Sequence, residues 1–278
     1  MVGISELPSD ARRLQGKVAL ITGGARGVGA CMAKLFYKHG AKVVIVDIRD
    51  ELGQALCDEI GHESSSSYLH CDVTKEIDVE NAINFTIAKY GKLDIMVNNA
   101  VIAGEAKTSI LDNDVAEFEQ VVGVNLTGPF IGTKHAARVM IPNKRGSIIM
   151  VGSVCSSVGG IAPHAYTSSK HEVAALAPIA ARGPGPRAPG EPPMFVRFSV
   201  NCLSPYFIAN AFAKEHFKLD DEGCSKVYSN LKGVVLQEED AAEAAVYLAS
   251  DESKYVSGHN LAVDGGFTTI NPIFGLFA

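Results

Sequence analysis

Seven short apolar runs recur along the chain, separated by longer segments of helical periodicity. They are KVALIT (17–22), KVVIVD (42–47), SYLHCD (67–72), LDIMVN (93–98), SIIMVG (147–152), FSVNCL (198–203) and NLAVDG (260–265). Runs that stay apolar at consecutive positions are what strands buried on both faces require. Helical stretches near 28–39, 50–60, 75–90, 114–141, 165–177 and 239–250 fill the intervals. Right-handed crossovers stack such units into one parallel sheet with helices on both faces. The expected architecture is therefore α/β: one domain over residues 1–278, without repeats, around a seven-stranded doubly wound sheet.

Bulk properties narrow what such a domain does. With 47% hydrophobic and 20% charged residues and no apolar run near the roughly 18 residues a bilayer span needs, no membrane partner is expected. The opening MVGISELPSDARRLQGK lacks the apolar core of a secretory signal, so a cytoplasmic address is expected, with residues 1–14 flexible. A net charge of -6 without a basic cluster argues against nucleic acid and for small molecules. The six cysteines show no CxxC spacing and read as reduced, mostly buried thiols. The eight histidines show no paired-ligand spacing, so no metal is expected.

Two regions break the rhythm. Residues 178–193 hold six prolines (Pro178, Pro184, Pro186, Pro189, Pro192, Pro193), which remove backbone donors and forbid a continuous helix, so a loop is expected. Residues 206–234 form a long connection carrying Tyr206, Phe207, Phe212, Phe217 and Tyr228. Connections of this length serve as lids or binding loops, while such aromatics can equally pack as a satellite core.

The stretch VALITGGARGVGA places Thr22, Gly23, Gly27 and Gly29 where the first strand turns into the first helix. Glycines let backbone approach a pyrophosphate, and a helix amino end offers unpaired N–H groups. Asp47 ends the second strand about 20 residues on, where a carboxylate accepts from adenosine ribose hydroxyls. The same charge repels a ribose 2′-phosphate, which favours NAD over NADP. Arg26, inside the turn, points the other way if it pairs with a phosphate and is neutral to the choice if it is a solvated surface charge. Asp72, in HCDVT, suits the adenine amino group or a cap for the helix that follows. In VNNA (97–100), Asn98 and the backbone of Ala100 should face the cofactor at the carboxyl end of the fourth strand. Val28, Ile48, Cys71, Val73 and Asn99, beside these positions, complete the expected cofactor contacts.

Tyr166 and Lys170 are four apart and share one helix face. An ammonium and a positively charged nicotinamide both favour a phenolate, making Tyr166 a candidate general base. Ser153, thirteen residues earlier at the end of the fifth strand, suits a hydrogen bond to a substrate oxygen. Asn125, in VGVNLTGPF, would hold a water that links Lys170 to solvent.

The glycine turn, Asp47, Asp72, NNA, Asn125, Ser153 and the Tyr166–Lys170 pair resemble the motif set of the short-chain dehydrogenase/reductase family over about residues 14 to 270. GTKHAARVMIP, SPY, NLKG, LASDESKYVSG and NLAVDGGFTTINP are similar to a plant group that includes secoisolariciresinol, xanthoxin, borneol and 3β-hydroxysteroid dehydrogenases. The resemblance implies a Rossmann fold and NAD-dependent oxidation of a secondary alcohol on a hydrophobic terpenoid, lignan or steroid skeleton. It also implies a homotetramer in which helices beginning near 114 and 165 pack across subunits, so a homo-oligomer, tetramer or dimer, is expected. It assigns catalysis to Asn125, Ser153, Tyr166 and Lys170, the nicotinamide ribose also to Lys170, and the carboxamide to Pro205 and Ile208.

Three positions depart from the family pattern. Val101 replaces a glycine after NNA, and Asn210 stands where a threonine or serine is common. Family members reach the sixth strand about 22 residues after the lysine, whereas Lys170 to Asn201 spans 31 positions here. That segment reads as a loop insertion or a local shift of reading frame that recovers by SVNCLSPY, with the Tyr–Lys helix cut short. Two alternative activities remain at this level: an NADPH-dependent carbonyl reductase, which Arg26 permits, and a dinucleotide-binding protein of little activity.

Overall fold

The computed structural model describes residues 4–5, 7–61, 64–181, 197–218, 220–225, 227 and 231–270. Among them the strands are β1 (Val18–Thr22), β2 (Lys42–Asp47), β3 (Ser66–His70), β4 (Ile95–Asn98), β5 (Arg145–Val151), β6 (Arg197–Pro205) and β7 (Asn260–Val263). They form one seven-stranded sheet in the order β3-β2-β1-β4-β5-β6-β7, every neighbouring pair parallel. The order runs outward in both directions from β1 and β4, which opens a crevice at their carboxyl ends.

Helices α1 (Gly27–Lys38), α2 (Asp50–Ile60), α3 (Glu76–Tyr90), α4 (Val115–Val122), α5 (Gly128–Met140), α6 (His164–Ala180) and α9 (Glu238–Ala249) cover the sheet. Two short helices, α7 (Ala211–Phe217) and α8 (Asp221–Ser225), lie in the connection after β6, where only irregular chain was expected. Because successive strand residues point to opposite faces, Ile21, Ile45, Val97 and Ile149 pack with α1 and α9, as through Phe36 and Val246. Leu20, Val44, Met96 and Ile148 pack on the other face with α3, α5 and α6, as through Ile83, Met140 and Val173. This division explains why the strand runs read as unbroken apolar stretches.

The structure corrects three expectations. The helix expected over 114–141 is interrupted by a π turn, Gly123–Thr127, between α4 and α5. Helix α6 runs past Pro178 to Ala180, with the Ala181 N–H donating to the Ala177 carbonyl at 2.9 Å. A proline in the last turn removes one backbone donor without stopping the turn, so the break falls later than its position suggested; residues 182–193 of the proline segment lie outside the described residues. The stretch 1–14 is also not uniformly flexible, since Leu14 is fully buried and the Leu7 N–H donates to the Lys38 carbonyl at 2.8 Å.

Candidate active site

The turn between β1 and α1 is made of glycines that hold two backbones together. Gly23 sits at φ +59°, and a Cβ there would lie 2.6 Å from the Ala100 Cα. A Cβ on Gly29 would collide with the Gly23 carbonyl oxygen. Gly27, at φ +61°, differs: nothing lies within 3.6 Å of where its Cβ would be, so space stays open over the amino end of α1. That opening, with the half-buried Val28 beside it, is a cradle a side chain would narrow, and it fits a pyrophosphate.

The end of β4 is stitched to this turn. Thr22 Oγ1 accepts from the Asn99 and Ala100 N–H groups at 3.0 and 3.2 Å, and Asn99 Nδ2 donates to the Thr22 and Gly23 carbonyls at 3.1 and 2.8 Å. The Asn99 side chain is thus a brace for the turn. The expectation that Asn98 faces the cofactor does not hold for its side chain, which is 3% exposed. Its Nδ2 donates to Thr133 Oγ1 at 3.3 Å and its buried Oδ1 has no hydrogen-bond partner, because a strand residue in this register points toward α5.

Asp47 closes β2 with both carboxylate oxygens turned back on the chain, accepting from the Ala25 and Arg49 N–H groups at 3.1 Å each. Each oxygen keeps a second lone pair for a ribose hydroxyl. Ile48 beside it is 60% exposed. Cys71 and Val73 are buried around the half-buried Asp72. Asp72 Oδ1 accepts from the Thr74 N–H and hydroxyl at 3.0 and 2.7 Å, and Oδ2 lies 3.4 Å from Lys75 Nζ. Its local turn-forming role is therefore in place, and these donors hold its carboxyl below the usual range against the opposing effect of burial.

Tyr166 and Lys170 occupy the first turns of α6. Lys170 is 2% exposed; its Nζ donates to the Val151 carbonyl at 2.7 Å and lies 5.5 Å from the centre of the Tyr166 ring. Burial lowers the Lys170 ammonium to about 8, against a weaker opposing effect of Cys202 and Cys155. Burial also pushes the Tyr166 phenol up, Cys155 adds to this, and the Ser153 side chain alone pulls back toward the phenolate. The expectation that the Lys170 ammonium and a positively charged nicotinamide together favour the phenolate concerns the loaded site; in the free protein desolvation holds the phenol up, with the Lys170 ammonium directed at a carbonyl. Ser153 caps a 3-10 turn, Val154–Ser156, its Oγ accepting from the Cys155 N–H at 3.2 Å.

Asn125 lies in the π turn, a feature that concentrates at functional sites. Its Oδ1 accepts from the Ile102 N–H at 2.9 Å, and its Nδ2 donates to the Ile102 carbonyl at 2.8 Å and Ser169 Oγ at 3.1 Å. Ser169 in turn donates to the Tyr166 carbonyl at 2.7 Å. Ile102 and Ser169 therefore join the site as supports that spacing did not reveal, although Ser169 lies between Tyr166 and Lys170 in the chain. Both amide hydrogens of Asn125 are thus taken, which leaves the second lone pair of Oδ1 and the main chain for a water.

Pro205 ends β6, half-buried, and Ile208 is buried just beyond it. Asn210 caps α7, Oδ1 accepting from the Ala213 N–H at 3.0 Å and Nδ2 donating to Glu238 Oε1 at 2.8 Å. Arg26 reaches across the glycine turn to α7, its Nη1 lying 3.4 Å from Glu215 Oε2. Among the described residues, no group of three His, Cys, Asp or Glu side chains is placed to hold a metal ion, and no helix is long and apolar enough to cross a membrane.

Known proteins are similar to this chain over most of its length. The family model described as Enoyl-(Acyl carrier protein) reductase matches residues 23–268. Borneol dehydrogenase, mitochondrial, of Lavandula x intermedia is 51% identical over 266 residues, spanning 96% of this chain and 96% of the relative. Secoisolariciresinol dehydrogenase of Forsythia intermedia is 48% identical over 275 residues, 98% of this chain and 96% of the relative. The crystal structure of levodione reductase superposes with a TM-score of 0.84 at 25% identity, covering 92% of this chain and 99% of that one. Similarity of this extent means that the chain belongs to the short-chain dehydrogenase/reductase family, oxidoreductases that act on alcohols with a nicotinamide dinucleotide.

Proposed function

We propose that this enzyme oxidises a secondary alcohol on a hydrophobic cyclic skeleton, of terpenoid, lignan or steroid type, to the ketone with NAD. The substrate class draws support from relatives named for borneol and secoisolariciresinol. NAD draws support from the Asp47 carboxylate at the end of β2, which repels a ribose 2′-phosphate. The observation that carries the reading is the Tyr166 phenol beside buried Lys170, with the Ser153 side chain hydrogen-bonding that phenol.

Bound nicotinamide supplies the hydride acceptor. Ser153 holds the substrate oxygen, and Tyr166 takes the hydroxyl proton as general base. Burial raises the Tyr166 phenol above its ordinary range in the free protein, so its service as a base draws on the positive charges of Lys170 and of the bound nicotinamide. Lys170 holds the nicotinamide ribose, and Asn125, through Ile102 and Ser169, fixes the turn of α6 that carries the base. Pro205 and Ile208 border the carboxamide, and the connection 206–234 closes over an apolar substrate. Substituting Tyr166→Phe should cut alcohol-dependent NADH formation by about 10²–10⁴-fold while the protein stays folded; unchanged turnover overturns the assignment.

A second reading, a carbonyl reductase using NADPH, draws on Arg26 in the glycine turn. Tighter binding of NADPH than of NADH would select it. We further propose a single catalytic domain, a cytoplasmic address and a homo-oligomer, dimer or tetramer.

A further inference from the structure

We infer that Glu215 helps set cofactor choice: from α7 it ion-pairs with Arg26 and withholds the guanidinium from a ribose 2′-phosphate. This inference rests on the NAD reading above and adds a second residue to it. Arg26 is the residue before α1 and directly follows Ala25, whose N–H donates to Asp47 Oδ2 at 3.1 Å. A long basic side chain one residue from that contact is within reach of the ribose Asp47 would hold. A guanidinium is also the side chain best suited to a phosphate. On its own, Arg26 would therefore work against the discrimination that Asp47 provides.

The structure gives Arg26 another partner. Its Nη1 lies 3.4 Å from Glu215 Oε2, with the Arg26 side chain 35% and the Glu215 side chain 73% exposed. Glu215 is presented there because α7 is anchored at its start: Asn210 caps the helix and donates to Glu238 Oε1 at the head of α9. Glu238 also borders the cradle, 3.6 Å from where a Cβ on Gly27 would sit. Two carboxylates then disfavour a 2′-phosphate by different means. Asp47 repels it directly, whereas Glu215 neutralises the one cation in the turn that would welcome it. Since the pair is exposed and screened by solvent, its release should be worth about two- to fivefold in affinity.

The test is a double-mutant cycle read by calorimetric binding of NAD and NADP to wild type, Glu215→Ala, Arg26→Ala and the double variant. The readout is the ratio of the two dissociation constants, which cancels effects on the shared pyrophosphate. Arg49, exposed beyond Asp47, is common to all four proteins and cannot produce an Arg26-dependent change. Expected is a ratio favouring NAD in wild type, little moved by Arg26→Ala, and shifted about two- to fivefold toward NADP by Glu215→Ala, with the gain lost in the double variant. An unmoved ratio in Glu215→Ala, or a gain that survives removal of Arg26, overturns the role of Glu215. A wild-type ratio favouring NADP instead overturns the NAD reading itself.

Discussion

Lys170 is a cation held where a cation is costly. Its side chain is 2% exposed, and a carbonyl is the hydrogen-bond acceptor it reaches, so burial brings the ammonium down to about 8. In the unfolded chain the same group titrates near 10.5. Between these values the unfolded state binds more protons than the folded one, so this residue makes stability rise with pH through that window. Tyr166, whose folded pKa is raised, acts in the opposite sense above pH 10, which leaves about pH 8–10 as the range where Lys170 dominates. The melting temperature of the cofactor-free enzyme should therefore rise relative to a Lys170→Met variant as pH goes from 8 to 10; parallel profiles would contradict the burial argument. That Tyr166 and Lys170 share one helix was legible in the sequence, because a four-residue spacing is a local property. Their electrostatics were not, because desolvation comes from β5 and β6, which pack against α6.

At the scale of elements, the glycine turn was the most readable feature, since few structures besides a close backbone approach need that many glycines between a strand and a helix. The structure adds which backbone is approached: Gly23 abuts Ala100, and Gly29 abuts the Gly23 carbonyl. A Gly29→Ala substitution should cost about 1–3 kcal/mol by overpacking and sharply weaken dinucleotide binding. Scanning calorimetry and titration check this, and wild-type values for both would refute the close-packed turn. Two elements were misjudged. The π turn at Asn125 has no composition that distinguishes it from the helices it interrupts. Pro178 suggested a break that the last turn of α6 absorbs.

At the scale of the molecule, apolar side chains remain uncovered on α4, α5 and α6: Val115 at 72%, Phe118 at 39%, Phe130 at 52% and Ile179 at 70% exposed. A surface of this kind supports the proposed homo-oligomer. Replacing Phe130→Glu should lower the mass measured by light scattering at micromolar protein, whereas an unchanged mass would remove α5 from the interface. The strand runs and their buried character on both faces were open to inference from the chain, because each follows from periodicity within some 40 residues, whereas the order of the strands in the sheet was not. Which polar groups meet was not either. Asn99 braces Gly23 from 76 positions away, and Arg26 finds Glu215 across 189. The sequence by itself determined a doubly wound sheet with a glycine cradle and a Tyr–Lys pair at its carboxyl edge. Only the tertiary structure decided that Asn98 turns inward, that the Asn125 amide hydrogens are already taken and that Lys170 faces a carbonyl, because hydrogen-bond partners and desolvation are set by what the fold brings into contact.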